Sequence, residues 1–268
     1  MALALSRKHR PQRLADLVGQ ESNVEIIRNA AGENRLGQAY LFYGPRGTGK
    51  TTTARLVAKL ANCETRAADA KFRQSGEPCN DCRSCREIDS GASLGLVEID
   101  AASNRGIDEI RNLKEGIASA PAGAAYKIYI IDEAHMLTTP AWNALLKTLE
   151  EPPRHAIFIL ATTEYEKVPA TITSRTQRFL FKKLSKAKIS EKLKRVAKAE
   201  KIEIEPEALD LVAAAGDGSV RDAESLLDQL ASSSRAITLE AAEKLTGRVG
   251  LRHIENLTEL ILKNDLAG

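Results

Sequence analysis

The chain has 268 residues, which the usual length of about 150 residues per domain divides into two domains. Its 43% apolar fraction is that of an ordinary globular protein, and only 4% aromatic residues argues against an all-β module of the lectin or antibody kind. The net charge of +3 does not by itself mark a nucleic-acid binder. No run approaches the ~20 consecutive apolar residues of a membrane span, so the expectation is a cytoplasmic α/β or α-rich protein with no membrane partner.

Residues 38–181 alternate short β-rich runs with helical stretches. The strand candidates are AYLFYG (39–44), LGLVEID (94–100), YKIYIID (126–132), HAIFILATT (155–163) and QRFLFK (177–182). Three are nearly continuous apolar runs, as strands covered on both faces must be, and a parallel α/β sheet is the economical arrangement. The stretch TPAWNALLKTLEEPP reads as a helix capped by Thr139, with Pro140 in the first turn and Pro152 and Pro153 as its stop. After Lys182 the strand signals vanish, and helices are expected at roughly 185–200, 206–215, 219–232, 239–246 and 251–263. The boundary near 181–185 carries no Gly/Ser linker. Residues 182–201 hold nine Lys/Arg against two Glu. A run of this kind reads first as a solvated helix face and second as a nucleic-acid contact.

GPRGTGKT at 44–51 matches the phosphate-loop pattern, directly after an apolar strand and before the helical run TTARLVAKLA. Gly44, Gly47 and Gly49 let the backbone turn so that its N–H groups face phosphate oxygens. Lys50 supplies a point charge to the β- and γ-phosphates, and the Thr51 hydroxyl is a magnesium ligand. In IYIIDEAH a strand ends in two carboxylates: Asp132 to hold magnesium, and Glu133 to orient or deprotonate the attacking water. DEAH also occurs in one group of nucleic-acid helicases. Those enzymes require a second α/β domain, whereas the second module here reads as helical.

All four cysteines, Cys63, Cys79, Cys82 and Cys85, lie in one stretch with a C-x-x-C-x-x-C run. Four thiolates on tight turns fit a closed tetrahedral zinc site. A disulfide pair is the alternative, disfavoured where thiols are kept reduced.

Together the residues resemble the ATP-hydrolysing gamma/tau subunits of the bacterial DNA polymerase III clamp loader, which are AAA+ proteins. The resemblance rests on RKHRPQRLADLVGQE (7–21), QAYLFYGPRGTGKTTTARLVAKLANC (38–63), VEIDAASNRGIDEIR (97–111), IDEAHMLTTPAWNALLKTLEEPP (131–153), ATTEYEKVPATITSR (161–175) and GSVRDAESLLDQ (218–229). It implies that Thr163 is a first sensor at the end of a central strand and that Arg221 is a second sensor reaching from the helical module. It also implies that Arg175 is an arginine finger serving a neighbouring subunit's ATP. The family's Ser-Arg-Cys has Thr176 in place of the cysteine. Val18 and Gly19 resemble the segment lining the adenine pocket, and Arg105 lies near positions that face DNA in related loaders. The candidate nucleotide-binding set is therefore Val18, Gly19, Gly44, Pro45, Arg46, Gly47, Thr48, Gly49, Lys50, Thr51, Thr52, Asp132 and Arg221. The candidate catalytic set is Lys50, Glu133, Thr163, Arg175 and Arg221.

The expected architecture is an AAA+ ATPase domain over 1–181 with a zinc module at 63–85, a helical lid over 182–246, and the start of a helical collar over 247–268, the chain ending before a full collar. The resemblance further implies that delta, delta-prime and additional gamma/tau copies, the sliding clamp and primer-template DNA are partners, with oligomerisation depending on the collar. Two rivals make opposite demands. A non-hydrolysing loader subunit should lack part of the loop or an acid, and a branch-migration motor should carry a winged-helix module after its lid.

Overall fold

In a computed structural model, residues 3–104, 116–117, 123–233, 236–248 and 258–262 are described. The chain divides into two compact units, Pro11–Lys182 and a second formed by Met1–Arg10 with Lys183–Gly268.

The larger unit is built on five strands: β1 (Ala39–Tyr43), β2 (Leu96–Asp100), β3 (Lys127–Asp132), β4 (Ala156–Thr162) and β5 (Gln177–Leu180). All neighbours are parallel, in the order β2-β3-β4-β1-β5. Alternate residues point to opposite faces, so one face presents Tyr40, Phe42, Ile128, Ile130, Ile157 and Ile159. That face is covered by α1 (Glu21–Gly32), α2 (Lys50–Asn62) and Ile88 of α3 (Arg83–Ser90). The opposite face presents Leu41, Tyr129, Ile131, Phe158 and Leu160 to Trp142, Leu145 and Leu149 of α4 (Thr139–Glu150). β4 is buried along its whole length, which is why it is apolar up to Thr162. The order places β4 between β1 and β3, so the ends of all three meet at one edge of the sheet.

Thr138, and not Thr139, caps α4: its hydroxyl accepts the Ala141 N–H at 3.4 Å, and Pro140 sits in the first turn. Only the residue before the first helical one has the extended backbone that aims its side chain at those N–H groups.

The second unit contains α5 (Lys186–Glu200), α6 (Pro206–Ala215), α7 (Val220–Ser233) and α8 (Leu239–Thr246). Ser185 caps α5 and Thr238 caps α8, while Pro206 opens α6. The unit is not purely helical, because β6 (Glu203–Ile204) and β7 (Ala236–Ile237) form a two-residue parallel pair. Residues 1–10, expected with the ATPase domain, group with these helices. The helical turn Leu5–Lys8 buries Leu5, a contribution of about 1.5–3 kcal/mol for a fully buried leucine. The Leu5 N–H donates to Asp228 Oδ2 at 3.2 Å, Lys8 pairs with Glu200 at 2.7 Å, and Lys192 Nζ donates to the His9 carbonyl at 3.1 Å. Residues 258–262 are helical, and the rest of the collar segment beyond Arg248 lies outside the described residues, as does Arg105. Among the described residues no helix is long and apolar enough to cross a membrane.

Candidate nucleotide and zinc sites

The loop between β1 and α2 turns through three glycines with positive φ: Gly44 (135°), Gly47 (69°) and Gly49 (104°). At Gly44 a Cβ atom would lie 2.1 Å from the Phe181 carbonyl oxygen, so no side chain fits. Thr48 Oγ1 donates to the Pro45 carbonyl at 2.8 Å, and Thr53 Oγ1 donates to that of Gly49 at 2.9 Å. Pro45 and Gly47 are half-buried, Arg46 is exposed, and Thr52 lies half-buried in the first turn of α2. The Lys50 ammonium is buried within this cradle and donates to the Gly44 and Pro45 carbonyls at 2.7 and 2.8 Å. Burial lowers its pKa, and the carboxylates of Glu133 and Asp132 oppose that shift.

Gln20 holds the loop from outside. Its amide donates to the Thr48 and Lys182 carbonyls at 3.3 and 3.0 Å and accepts the Lys182 N–H at 3.3 Å. It follows Val18 and Gly19, both half-buried, and the positive φ of Gly19 (77°) turns the chain at this point. Leu17 reaches the α2 entrance, 3.5 Å from where a Gly49 Cβ would stand.

At the end of β3, Asp132 Oδ2 accepts the Thr51 hydroxyl at 2.7 Å, and its Oδ1 accepts the Glu133 N–H at 3.0 Å. Glu133 adopts the left-handed region (φ 48°, ψ 43°), a conformation costing on the order of 1–3 kcal/mol for a non-glycine residue. Its Oε2 accepts the Thr163 hydroxyl at 3.0 Å. Thr51 and Asp132 offer the hard oxygen donors that magnesium selects, so the donor set fits that ion.

His135, from the same DEAH run, is placed where its composition alone does not predict. Nδ1 lies 3.0 Å from Thr162 Oγ1, and Nε2 lies 3.0 Å from Glu164 Oε1. The side chain ties the turn after β3 to the end of β4.

Arg175 follows a helical turn, Ala170–Thr173, and pairs with Glu150 Oε1 at 2.7 Å while donating to the Thr171 carbonyl at 2.7 Å. Thr176 sends its hydroxyl to the Ile172 carbonyl at 3.2 Å. Arg221 is an exposed residue at the start of α7 in the other unit.

The four cysteine sulfurs all lie within 4.8 Å of one another, with Cys63 and Cys85 buried and Cys79 and Cys82 half-buried. The Cys79 and Cys85 sulfurs are 4.0 Å apart. A tetrahedron of ligands at about 2.3 Å from zinc has edges of about 3.8 Å, whereas a disulfide brings sulfurs to about 2.05 Å. The cysteines are free, and the cluster fits a closed zinc site. Backbone N–H groups of Asp81 and Cys82 donate to the Cys79 sulfur at 3.4 and 3.3 Å. The Cys85 thiol donates to Cys63 and holds its thiol down to about 4, while Cys85 itself is pushed up.

Residues 19–185 match the family described as DNA polymerase III, delta subunit, and residues 188–235 match the ATPase lid domain of the DNA polymerase III clamp loader subunit. DNA polymerase III subunit tau of Bacillus subtilis is 48% identical over 96% of this chain and 44% of its own length. The Escherichia coli subunit tau is 44% identical over 97% of this chain and 39% of its own length. The chain thus spans less than half of these relatives. The Thermotoga maritima RuvB Holliday junction branch migration motor has a TM-score of 0.60 at 19% identity, covering 88% of this chain and 71% of that one, which establishes a shared fold. With a family model matched over more than half of its length, the chain belongs to the DNA polymerase III clamp-loader subunits.

Proposed function

We propose that the chain is the ATP-hydrolysing motor part of a gamma/tau-type clamp-loader subunit, a cytoplasmic replication protein that places a sliding clamp on primed DNA. The observation that carries this reading is the 2.7 Å bond between Thr51 on the phosphate loop and Asp132 at the end of β3, beside the buried Lys50. The loop amides receive the phosphates, and Lys50 exchanges its two carbonyl partners for β- and γ-phosphate oxygens. Thr51 and Asp132 are the residues that would hold magnesium, which when bound neutralises charge on the transferring phosphoryl group. Glu133 orients the attacking water and takes its proton as the bond to the γ-phosphorus forms and the bridge to the β-phosphate breaks. Thr163 fixes the direction of that carboxylate. Val18 and Gly19 line the adenine side. Arg221, from the lid at 182–246, senses the phosphates, so nucleotide state is linked to lid position by differential affinity.

Arg175 completes the site of a neighbouring subunit. The partners on this reading are delta, delta-prime, further gamma/tau copies, the clamp and primer-template DNA, with assembly through a collar that begins near residue 247. The zinc module at 63–85 is structural, since four cysteines leave no open position. ATP hydrolysis measured with and without clamp, primed DNA and the other loader subunits tests the proposal. Slow turnover alone and stimulation in the full mixture are expected, and no turnover in any mixture opposes it.

A further inference from the structure

Two backbone N–H groups and one guanidinium converge on the carboxylate of Glu77, two residues before Cys79. Oε2 accepts the Leu14 N–H at 2.7 Å, and Oε1 accepts the Ala15 N–H at 3.0 Å. Oε1 also pairs with Arg28 Nη2 of α1 at 2.8 Å. Leu14 and Ala15 open the 3₁₀ turn Leu14–Asp16, whose first N–H groups have no carbonyl partner within the turn. A carboxylate satisfies those donors and the partial positive charge of a helix start together. Leu14 is fully buried, and a buried donor left without its partner costs about 1–3 kcal/mol.

The backbone around Glu77 is fixed on both sides. Gly76 adopts φ 64°, and a Cβ there would stand 2.3 Å from Arg28 Cγ and 2.4 Å from the Arg28 carbonyl oxygen, so this turn lies directly against α1. Three residues beyond Glu77, Asn80 Oδ1 accepts from the Lys59 ammonium at 3.0 Å. Lys59, 1% exposed on α2, also donates to Gln12 Oε1 and pairs with Asp89 at 2.6 Å. Residues 76–80 of the cysteine module are thus fastened at once to α1, to α2 and to residues 12–15.

The segment held in this way leads straight to the phosphate loop. The Leu17 N–H donates to the Leu14 carbonyl at 3.1 Å, and the Leu17 side chain stands at the entrance of α2, where it would meet a Gly49 Cβ at 3.5 Å. Val18 and Gly19 follow, and Gln20 then bonds the Thr48 carbonyl. We propose, resting on the reading of Val18 and Gly19 as the adenine side, that Glu77 is a positioning residue for the nucleotide. It holds residues 14–19 against the phosphate loop, so the cysteine module sets affinity for the base. Lys50, Thr51 and Asp132 make none of their bonds through Glu77 and hold the phosphates independently of it.

The test is calorimetry of the full chain with magnesium, comparing ATP with inorganic tripolyphosphate for wild type, Glu77→Ala and Glu77→Gln, with thermal unfolding in parallel. Glu77→Ala should bind ATP about 10-fold more weakly, as when the competent arrangement falls to about one part in ten, and tripolyphosphate within about twofold of wild type. Glu77→Gln keeps one acceptor oxygen and should recover part of the loss. A purely structural role lowers the melting temperature alone or weakens both ligands alike, and either result overturns the proposal. Wild type that takes up neither ligand overturns it together with the nucleotide reading. Wild type that takes up both, with the ratio of affinities unchanged in Glu77→Ala, overturns the positioning role alone. Should Glu77→Ala not fold, hydrogen exchange of the Leu14 and Ala15 amides in wild type decides: ATP with magnesium should slow it and tripolyphosphate should not. The same exchange with either ligand also overturns the proposal.

Discussion

The hydroxyl of Thr163, just past the end of β4, donates to Oε2 of Glu133, just past the end of β3, at 3.0 Å. The two strands are neighbours in the sheet, so the bond joins their adjacent ends and holds the carboxylate of a residue whose backbone is left-handed. On the proposed reading Glu133 is the water-activating acid and acts through its position, which the threonine just past the adjacent strand sets. Thr163→Val should therefore keep ATP affinity within a few-fold of wild type and lower hydrolysis by about 10–100-fold, a part of the 10²–10⁴ that a placed general base contributes. Equal turnover in the two proteins would remove Thr163 from the catalytic reading.

Arg175 makes a half-exposed ion pair with Glu150, a type of contact worth about 0–1 kcal/mol. Its loss should barely move the melting temperature. In the assembled loader the same substitution, Arg175→Ala, should leave ATP binding intact and reduce assembly-stimulated hydrolysis by roughly 10³–10⁵, the range for an arginine finger. Stimulation by clamp and DNA that survives the substitution contradicts the trans role.

Gly44 and Gly91 both have positive φ, 135° and 75°, but only the first is crowded. A Cβ at Gly44 meets the Phe181 carbonyl at 2.1 Å, whereas at Gly91 nothing lies within 4 Å. Gly91→Ala should cost about 1–2 kcal/mol, the left-handed penalty alone. Gly44→Ala should cost more than that, about 3 kcal/mol or above, because β5 and the loop must separate. Denaturant unfolding of the two variants compares them, and equal losses would contradict the close approach.

Glu224 on α7 is buried, its Oε1 makes no hydrogen bond, and burial raises its carboxyl to about 7 against the opposing charge of Lys192, 3.9 Å away. In the unfolded chain the group titrates near 4.5. The folded state therefore binds the proton more tightly. The stability linked to it is complete below about pH 4.5 and is lost as the pH rises to about 7, by roughly 3 kcal/mol at most. Unfolding of wild type and Glu224→Gln across this range should show the wild type falling relative to the variant up to about pH 7 and running parallel above it. A difference independent of pH rules out the raised carboxyl.

The five strands of the larger unit lie within two residues of the limits read from the runs at 39–44, 94–100, 126–132, 155–163 and 177–182, and for β1, β3 and β4 two covered faces force the continuous hydrophobicity that made them legible. The glycine spacing of 44–49 was equally legible, since positive φ and the Phe181 carbonyl leave no alternative residue at Gly44. Other features depend on contacts between distant residues and carry no local periodicity. The β6–β7 pair is two residues long, below what any alternation can register. The N-terminal ten residues group with the helical unit through a few contacts to Asp228, Glu200 and Lys192, 183 or more residues away. Gln20 and His135 sit inside stretches already singled out, beside Gly19 and Glu133. Their partners, Lys182 and Thr162, come from other strand ends and become neighbours only in the folded sheet.

Magnesium-dependent binding of ATP to the purified chain, followed by calorimetry for wild type and Lys50→Ala, tests the central claim most directly. Saturable uptake by the wild type that disappears without magnesium, and at least ~10-fold weaker uptake by Lys50→Ala, is the predicted result for a buried phosphate-facing charge. No magnesium-dependent uptake by the wild type, or identical isotherms for the two proteins, would contradict the assignment of residues 44–51 and 132–133 to a nucleotide site.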